Sequence, residues 1–397
     1  MRKDYEVVVL GQGGLGSAAL YWLSRRAGRD VLGIEQFALN HPYGASQDHS
    51  RIIRLAYDDP AYAALTPHTY IAWRTVEEEA GMQLVFQTGG LILSPGDMHS
   101  GGGLASSGVE AYAAAMQQAG IPFESWTAVE TMRHYPQFHL LEDDRVVYEA
   151  SAGLVDPGKA NAVHRALGRR RGAVVLENCP VRAVRPQADG VEVETEQGVF
   201  WGKKLVVTSG AWTNRVLAGA GVRLPLTVTE EQVTYFATPH LKQFSPERFP
   251  IWIWHGEEGF YGFPVYGEVA TKAGQDVGGD VVSTETRRLQ PNPRPLAMLT
   301  AFLEQRIPEF LGPVLYTKPC LYTMPPDRGF VIDHLAEYPH ISLAIGAGHA
   351  FKFASLIGRI LAELALDGRT NYAIEAMRLD RPALTDAGFV SQIKLAG

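Results

Sequence analysis

The apolar and polar positions of the chain open with a short continuous apolar run, Glu6-Val7-Val8-Val9-Leu10. A glycine-rich turn follows, Gly11-Gln12-Gly13-Gly14-Leu15-Gly16-Ser17, and then an Ala/Leu/Tyr-rich stretch to Arg25-Arg26. The pattern predicts a buried strand, a tight turn and the first turns of a helix. A second run, Asp30-Val31-Leu32-Gly33-Ile34, predicts a strand that ends in Glu35. Residues 60–81 have helical spacing, with Tyr62, Leu65, Tyr70, Ile71 and Trp73 as apolar positions. Residues 87–93 read as a turn and a strand, 101–103 as a flexible bend, 109–120 as an Ala-rich helix and 126–134 as a short helix stopping before Pro136.

Pro157 suits the first turn of a helix running to about Arg170. Residues 173–176 and 180–184 read as strands, and 191–195 alternates after the Asp189-Gly190 turn signal. Residues 204–212 form a buried strand ending in small residues. Strand patterns then dominate from 224 to 316, at 232–237, 251–254, 259–264 and 268–273, as in an antiparallel sheet; 296–306 is helical. The first pattern returns at the end. A strand at 341–345 leads into Gly346-Ala347-Gly348-His349-Ala350 and a helix from 351 to 366, closed by Asp367-Gly368.

The strand, glycine turn and helix at the start are the parts of a dinucleotide site. Gly11 allows the tight turn, Gly13 lets the backbone approach a pyrophosphate, and Gly16 allows close helix–strand packing. The helix N-terminus meets the phosphates. Glu35 stands where an acid accepts from a ribose hydroxyl, which disfavours a 2′-phosphate. A simple nicotinamide enzyme would continue with further βα units. This chain instead returns to the nucleotide fold twice, after two insertions, which fits an extended FAD. The expected fold is α/β (α+β overall), a Rossmann-type FAD-binding domain interrupted by a mostly antiparallel-sheet substrate domain. The expected boundaries are 1–82, 146–220 and 320–390 for the first, and 83–145 and 221–319 for the second.

The 397 residues carry a net charge of -7, and no basic run is longer than Arg169-Arg170-Arg171, which argues against a nucleic-acid surface. The two cysteines, Cys179 and Cys320, are too few for a disulfide framework or a Cys-based metal site. With no leader and no apolar stretch of membrane-spanning length, a cytoplasmic protein without a membrane partner is expected. The loop 36–50 is long and polar, and loops beside nucleotide sites are often functional. It leads into Arg51-Ile52-Ile53-Arg54. In a helix the two arginines would share a face, in a strand they would diverge, and either could simply be solvated. Cys320, in Lys318-Pro319-Cys320-Leu321-Tyr322-Thr323, reads by itself as a buried small hydrophobe.

Five blocks together change that reading: Gly11–Ser17 with Glu35; Ser50-Arg51-Ile52-Ile53-Arg54; Tyr261-Gly262-Phe263-Pro264 with Lys272; Cys320-Leu321-Tyr322-Thr323; and Gly348-His349-Ala350-Phe351-Lys352-Phe353. In this order they resemble the monomeric sarcosine oxidase family, which includes N-methyltryptophan oxidase, is related to pipecolate and fructosyl-amine oxidases, and has a D-amino-acid-oxidase-like fold. The resemblance covers nearly the whole chain. It implies FAD bound covalently, since Cys320 matches the cysteine whose sulfur bonds the 8α-methyl carbon. Arg51 matches the arginine beside the flavin ring, and Arg54 and Lys352 match the pair that holds the substrate carboxylate. Lys272 matches the lysine at which oxygen is reduced; Tyr261 and Tyr322 match pocket tyrosines. The expected cofactor contacts are Gly11, Gly13, Gly14, Leu15, Gly16, Glu35 and Gln36 near the start. Ser46, Ser50, Arg51, Val181, Gly210 and Trp212 follow, and then Cys320, Gly346, Gly348, His349, Phe351 and Lys352. Taken singly, Lys272 reads as a surface strand lysine, Lys352 as a helix-start residue and the tyrosines as core aromatics; His349 is open between a flavin-side donor and a loop residue.

The implied reaction is oxidation of a secondary amino acid such as sarcosine by oxygen, in a monomer. Asp276 departs from the family, standing where its sarcosine enzymes carry a histidine, and resembles the acid found thereabouts in fructosyl-amine oxidases. Gln47 stands where some members have a histidine, and His49 precedes Ser50 instead. These changes leave a fructosyl or cyclic amino acid (pipecolate, proline) as an alternative substrate. A dehydrogenase serving another electron carrier and a non-catalytic flavoprotein complete the readings.

Overall fold

The computed structural model describes residues 3–96 and 108–395, so the bend expected at 101–103 lies outside the described residues. Two large sheets organise the chain. The first has five strands in parallel succession: Val174–Leu176, Val31–Ile34, Asp4–Leu10, Gly198–Val207 and Ile341–Ile345. Val7, Val8, Val9, Leu205, Val206 and Leu343 are all but inaccessible, as parallel strands covered on both faces require. An antiparallel hairpin, Val181–Gln187 with Gly190–Thr195, extends one edge of this sheet, and Val331–His334 pairs with Ile341–Ile345.

Helix Gly14–Ala27 packs on this sheet against helix Ala354–Asp367. A Cβ on Gly358 would lie 2.5 Å from the Ala18 backbone, so the two helices touch backbone to backbone there. Trp22 Nε1 donates to Ser355 Oγ across the same contact at 3.2 Å. Helix Pro60–Ala80 is delimited as its sequence predicts. Asp59 accepts from Ala61 N at 2.7 Å, Pro60 fills the first turn, and Gly81 closes the helix in the left-handed conformation at φ 62°.

The second sheet runs Asp280–Val281, Thr227–Phe236, Thr271–Gln275, Phe260–Phe263, Ile251–Trp254, Gly90–Ser94, Arg145–Glu149, Glu124–Thr127, with Val314–Met324 also on Thr227–Phe236. Its pairings are antiparallel except for Ile251–Trp254 on Gly90–Ser94. An aromatic core of Phe236, Phe244, Phe249, Trp252 and Phe310 backs it. A small third sheet joins Arg51–Ile53, Gly153–Val155 and Val85–Gln87. The protein is therefore a mixed α/β molecule with a parallel nucleotide-type sheet and a mostly antiparallel second sheet.

Several elements differ from the pattern-based expectation. Residues 124–127 are a strand, and the helix starts only at Ala128. Thr127 caps it in a reciprocal box with Glu130, each side chain accepting from the other's backbone N–H. The last helix is preceded by a separate 3₁₀ turn, Phe351–Phe353. The strand expected at 268–273 is Thr271–Gln275. The segment holding Cys320 is an eleven-residue strand, Val314–Met324, which the sequence hides because Pro319 interrupts it. Among the described residues it pairs only with Thr227–Phe236, and an edge position tolerates a residue without an N–H.

Candidate functional site

A cavity of about 380 Å³ runs between the sheets, and every residue expected at the cofactor or the substrate lines it except Gly16. Gly16 instead faces the strand. A Cβ there would lie 1.8 Å from Gly11 O, so its part is the close helix–strand approach and not a ligand contact.

One end of the cavity is built by the first glycine turn. Gly11 has φ 88°, and a Cβ would press to 2.6 Å from Thr208 O, so glycine is required twice over. Helix Gly14–Ala27 has no acid in its first turn, and Ser46 Oγ accepts from Gly14 N at 2.8 Å. A Cβ on Gly14 would meet the Phe351 ring at 2.8 Å, which ties the first glycine turn to the last one. Glu35 accepts from Gln12 N (2.8 Å) and Phe37 N (3.1 Å), with His41 Nε2 3.4 Å away. Burial pushes its pKa up, but His41 and the Gln12 N–H outweigh that, and the carboxyl ends below its ordinary range. Arg165, missed in the sequence, braces this end by donating to Gln12 O (2.9 Å) and Asn40 Oδ1 (2.6 Å). Asn161, one turn earlier on helix Pro157–Arg170, donates to Ser46 O at 2.9 Å. A pyrophosphate and a ribose fit this cradle of glycines, helix N-terminus and carboxylate. Val181, Gly210 and Trp212 close its sides, and Gln36 lies beside Glu35.

The middle of the cavity holds a buried charge cluster. Lys272 is 1% exposed, which removes the surface-lysine reading. Its Nζ donates to Ser50 O (2.7 Å) and Ser50 Oγ (3.1 Å) and lies 2.6 Å from Asp48 Oδ2. Burial pulls the lysine down to about 8; Asp48 opposes that and Arg51 adds to it. Arg51 sits 3.5 Å from the same carboxylate and also donates to Gln47 O and Ala45 O. Cys320 is buried on the facing strand. Burial pushes its thiol up to about 12, against the pull of Arg51. Asp48 had no pattern in the sequence to mark it: it is one polar residue in a polar loop.

The far end carries Arg54, Lys352, Tyr57, Tyr112, Tyr261, Tyr322, Asp276 and Arg328. Arg51–Ile53 is a strand, so the two arginines would diverge, but the chain leaves the strand before Arg54 and both reach the cavity. Arg54 is buried over the Tyr57 ring (4.7 Å), and its Nε and Nη1 have no partner among the described residues. Lys352 is buried too. It donates to His349 O (2.9 Å) and Tyr57 OH (3.1 Å), and burial, with Arg54 next, pulls it well below its ordinary value. His349, left open by the sequence, contacts Arg328 O through Nε2 (3.2 Å) and Tyr57 OH through Nδ1 (3.1 Å). A carbonyl only accepts, so Nε2 carries the proton and Nδ1 accepts from Tyr57. Burial keeps this ring neutral.

Gly348, at φ 83°, lets this turn pass the Tyr322 ring; a Cβ would come within 2.4 Å of it. Asp276 is not a bare acid: Arg328 Nη2 lies 3.3 Å from both its oxygens. Arg328 was not singled out in the sequence. Such an end can hold a carboxylate against Arg54 and Lys352 while its rings exclude water. Among the described residues no group of three or more His, Cys, Asp or Glu is placed to hold a metal, and no helix is long and apolar enough to cross a membrane.

The family described as FAD dependent oxidoreductase matches residues 6–364. A monomeric sarcosine oxidase of Streptomyces avermitilis is 35% identical over 94% of this chain and 97% of its own length. An N-methyl-L-tryptophan oxidase of Escherichia coli is 28% identical, covering 95% of this chain and 99% of its own. Among solved structures, the Tyr258Phe mutant of NikD, an unusual amino acid oxidase essential for nikkomycin biosynthesis, superposes with a TM-score of 0.84 at 26% identity, over 95% of this chain and 97% of that one. With a two-sheet fold, a glycine-lined nucleotide cradle and matches of this length, the chain belongs to the FAD-dependent oxidoreductases of the monomeric sarcosine oxidase family, flavoprotein oxidases acting on the CH–NH group.

Proposed function

We propose that the protein oxidises secondary amino acids, with sarcosine or another N-methyl amino acid as substrate, to the demethylated amino acid, formaldehyde and hydrogen peroxide. For sarcosine the balance is one oxygen and one water consumed, and one glycine, one formaldehyde and one peroxide formed. The observation that carries this reading is Arg54: a buried guanidinium with two nitrogens unpartnered among the described residues, beside a buried lysine, on the cavity wall. Leaving those donors unmet costs about 1–3 kcal/mol or more, which a carboxylate ligand relieves.

When bound, FAD accepts the hydrogen and two electrons that leave the N-alkyl carbon and hands them to oxygen. The chain's own residues do the rest. Arg54 and Lys352 fix the substrate's acid end, so its amine is held at one distance from the cofactor, a proximity effect. Burial and Arg54 pull Lys352 down, and a carboxylate beside it favours its charged form. Tyr57 and His349 hold Lys352 in place, and Tyr261 and Tyr322 wall the amine. The cations also favour the neutral amine, the form that gives up electrons. Lys272 faces the negative charge that develops on oxygen. Cys320 would hold FAD covalently through its sulfur. The molecule works as a monomer in the cytoplasm. The eight-stranded sheet forms the cofactor domain and the nine-stranded sheet the substrate domain.

A second reading keeps the reaction and enlarges the substrate. It is favoured by the Arg328–Asp276 pair and by a further cavity of about 330 Å³ that meets the first at Ile253, His255 and Asp276. A fructosyl or cyclic amino acid has polar or bulky parts to place there. A substrate panel of sarcosine, N-methyltryptophan, proline, pipecolate and fructosyl-glycine, read by peroxide release, separates the two. The expected outcome is peroxide with formaldehyde from an N-methyl amino acid. Neither peroxide nor flavin bleaching with any N-alkyl amino acid would overturn the proposal.

A further inference from the structure

Among the described residues Asp48 is the carboxylate paired with both Lys272 and Arg51, and the reaction as described gives it no task. Its side chain is wholly inaccessible. Oδ2 lies 2.6 Å from Lys272 Nζ and 3.5 Å from Arg51, while Oδ1 accepts from Tyr235 OH at 2.5 Å and lies 3.5 Å from Lys318 Nζ. Its backbone is left-handed, at φ 103°, an uncommon conformation for a residue with a side chain. Four side chains from three strands and its own loop's end thus converge on this single acid. Burial would favour a protonated carboxyl, but Lys272 and Arg51 overrule it and hold the group ionised.

We propose that Asp48 is a positioning residue for the oxidative half of the reaction: it keeps Lys272 a protonated ammonium at the cavity wall and fixes where that charge sits. The inference rests on the reading of Lys272 as the oxygen-side cation. An isolated ammonium taken out of water gives up its proton rather than stay charged. Around Lys272, Arg51 pushes the same way as burial, while Cys320 opposes it weakly; the rings of Tyr235 and Phe263 face the ammonium, and Lys318 shares its counter-ion. His49 and Glu268 form a pair 3.4 Å apart, with Glu268 also accepting from Tyr316. Asp48 is therefore what keeps the lysine charged near neutral pH. The lysine is depressed to about 8 even with it.

The sign follows. Protonated lysine assists oxygen, so reoxidation slows as pH rises through about 8 in the wild type. Without the carboxylate the same fall comes at lower pH. The test measures two quantities across pH 5.5–10 on the holoprotein: the rate at which reduced flavin is reoxidised by oxygen, and the absorbance spectrum of the resting oxidised flavin. Asp48→Asn keeps the shape and tolerates the positive φ. Its transition is expected to fall by more than one pH unit in both readouts, with reoxidation at pH 7.5 at least about threefold slower. Lys318→Met, at a third-exposed position, removes a rival cation and is expected to move the transition upward. It also serves should Asp48→Asn fail to fold. Lys272→Met should abolish the transition. If Lys272→Met leaves oxygen reactivity and the transition intact, the reading of Lys272 fails. If Lys272→Met removes them but the Asp48 and Lys318 variants titrate as the wild type does, the inference about Asp48 fails.

Discussion

At the scale of single residues, the site is a set of buried charges whose partners are few and identifiable. Cys320 shows how environment decides chemistry. A tethering sulfur must be a thiolate, and here burial lifts the thiol to about 12 despite Arg51. Attachment of FAD to apoprotein should therefore quicken as pH rises from 7 to 9, because the thiolate fraction grows. In acid-denatured wild type the yellow colour should stay with the protein, and in Cys320→Ser it should pass to the supernatant. Colour retained by that variant would contradict the assignment of the tether. The same logic explains why Asp276 misleads when read alone. As a lone acid it invites an amine; in the fold it is held by Arg328, so the pocket's net character at that point is a neutral pair.

At the scale of elements, two antiparallel strands, Thr227–Phe236 and Val314–Met324, place Glu231 directly opposite Cys320. Glu231 is 4% exposed and receives hydrogen bonds from Thr229 Oγ1 (2.6 Å) and Gly279 N (3.0 Å). Burial pushes it up to about 7, and Asp276 adds to the rise. A carboxyl raised in the folded state keeps its proton where the unfolded chain has lost it. Its contribution is thus unfavourable above the unfolded value, and stability declines as pH climbs from about 4.5 toward 7. The difference is on the order of 3 kcal/mol. Glu231→Gln should melt at nearly the same temperature as wild type at pH 5 and several degrees higher at pH 8. Parallel melting curves across that range would show that the carboxyl titrates normally. The helix that follows the last glycine turn gives a second lesson. It starts only at Ala354, after a 3₁₀ turn, so the 346–350 turn with Gly348 against Tyr322, and not a helix N-terminus, lines the pocket there.

At the scale of the whole molecule, the site exists because distant segments converge. Arg54, Lys272, Cys320 and Lys352 span some three hundred positions of sequence and line one cavity. Much of this was legible beforehand. The first glycine turn, the Glu35 strand and helix 60–81 are local patterns, and local patterns carry their own geometry. The five ordered blocks supplied the rest of the expected wall. What sequence could not display were partners fixed only by folding: Asp48 under Lys272, Arg328 on Asp276, Tyr57 between Lys352 and His349. None has a periodicity or spacing, because each is defined by a contact across more than fifteen residues. Strand 314–324 was hidden for a different reason, a proline that only an edge position admits.

The claim on which the account turns is that Arg54 and Lys352 grip the acid end of a secondary amino acid and so present its amine to the flavin. Anaerobic titration of the holoprotein, followed by flavin absorbance, addresses it directly with sarcosine, or the best N-methyl amino acid of the panel, and its primary amide. Loss of a charge-assisted contact is worth about 1.5–3 kcal/mol, so the amide should bleach the flavin at least about tenfold less efficiently. Arg54→Met should narrow the difference by impairing the acid more than the amide. Equal bleaching by acid and amide in the wild type would contradict the account.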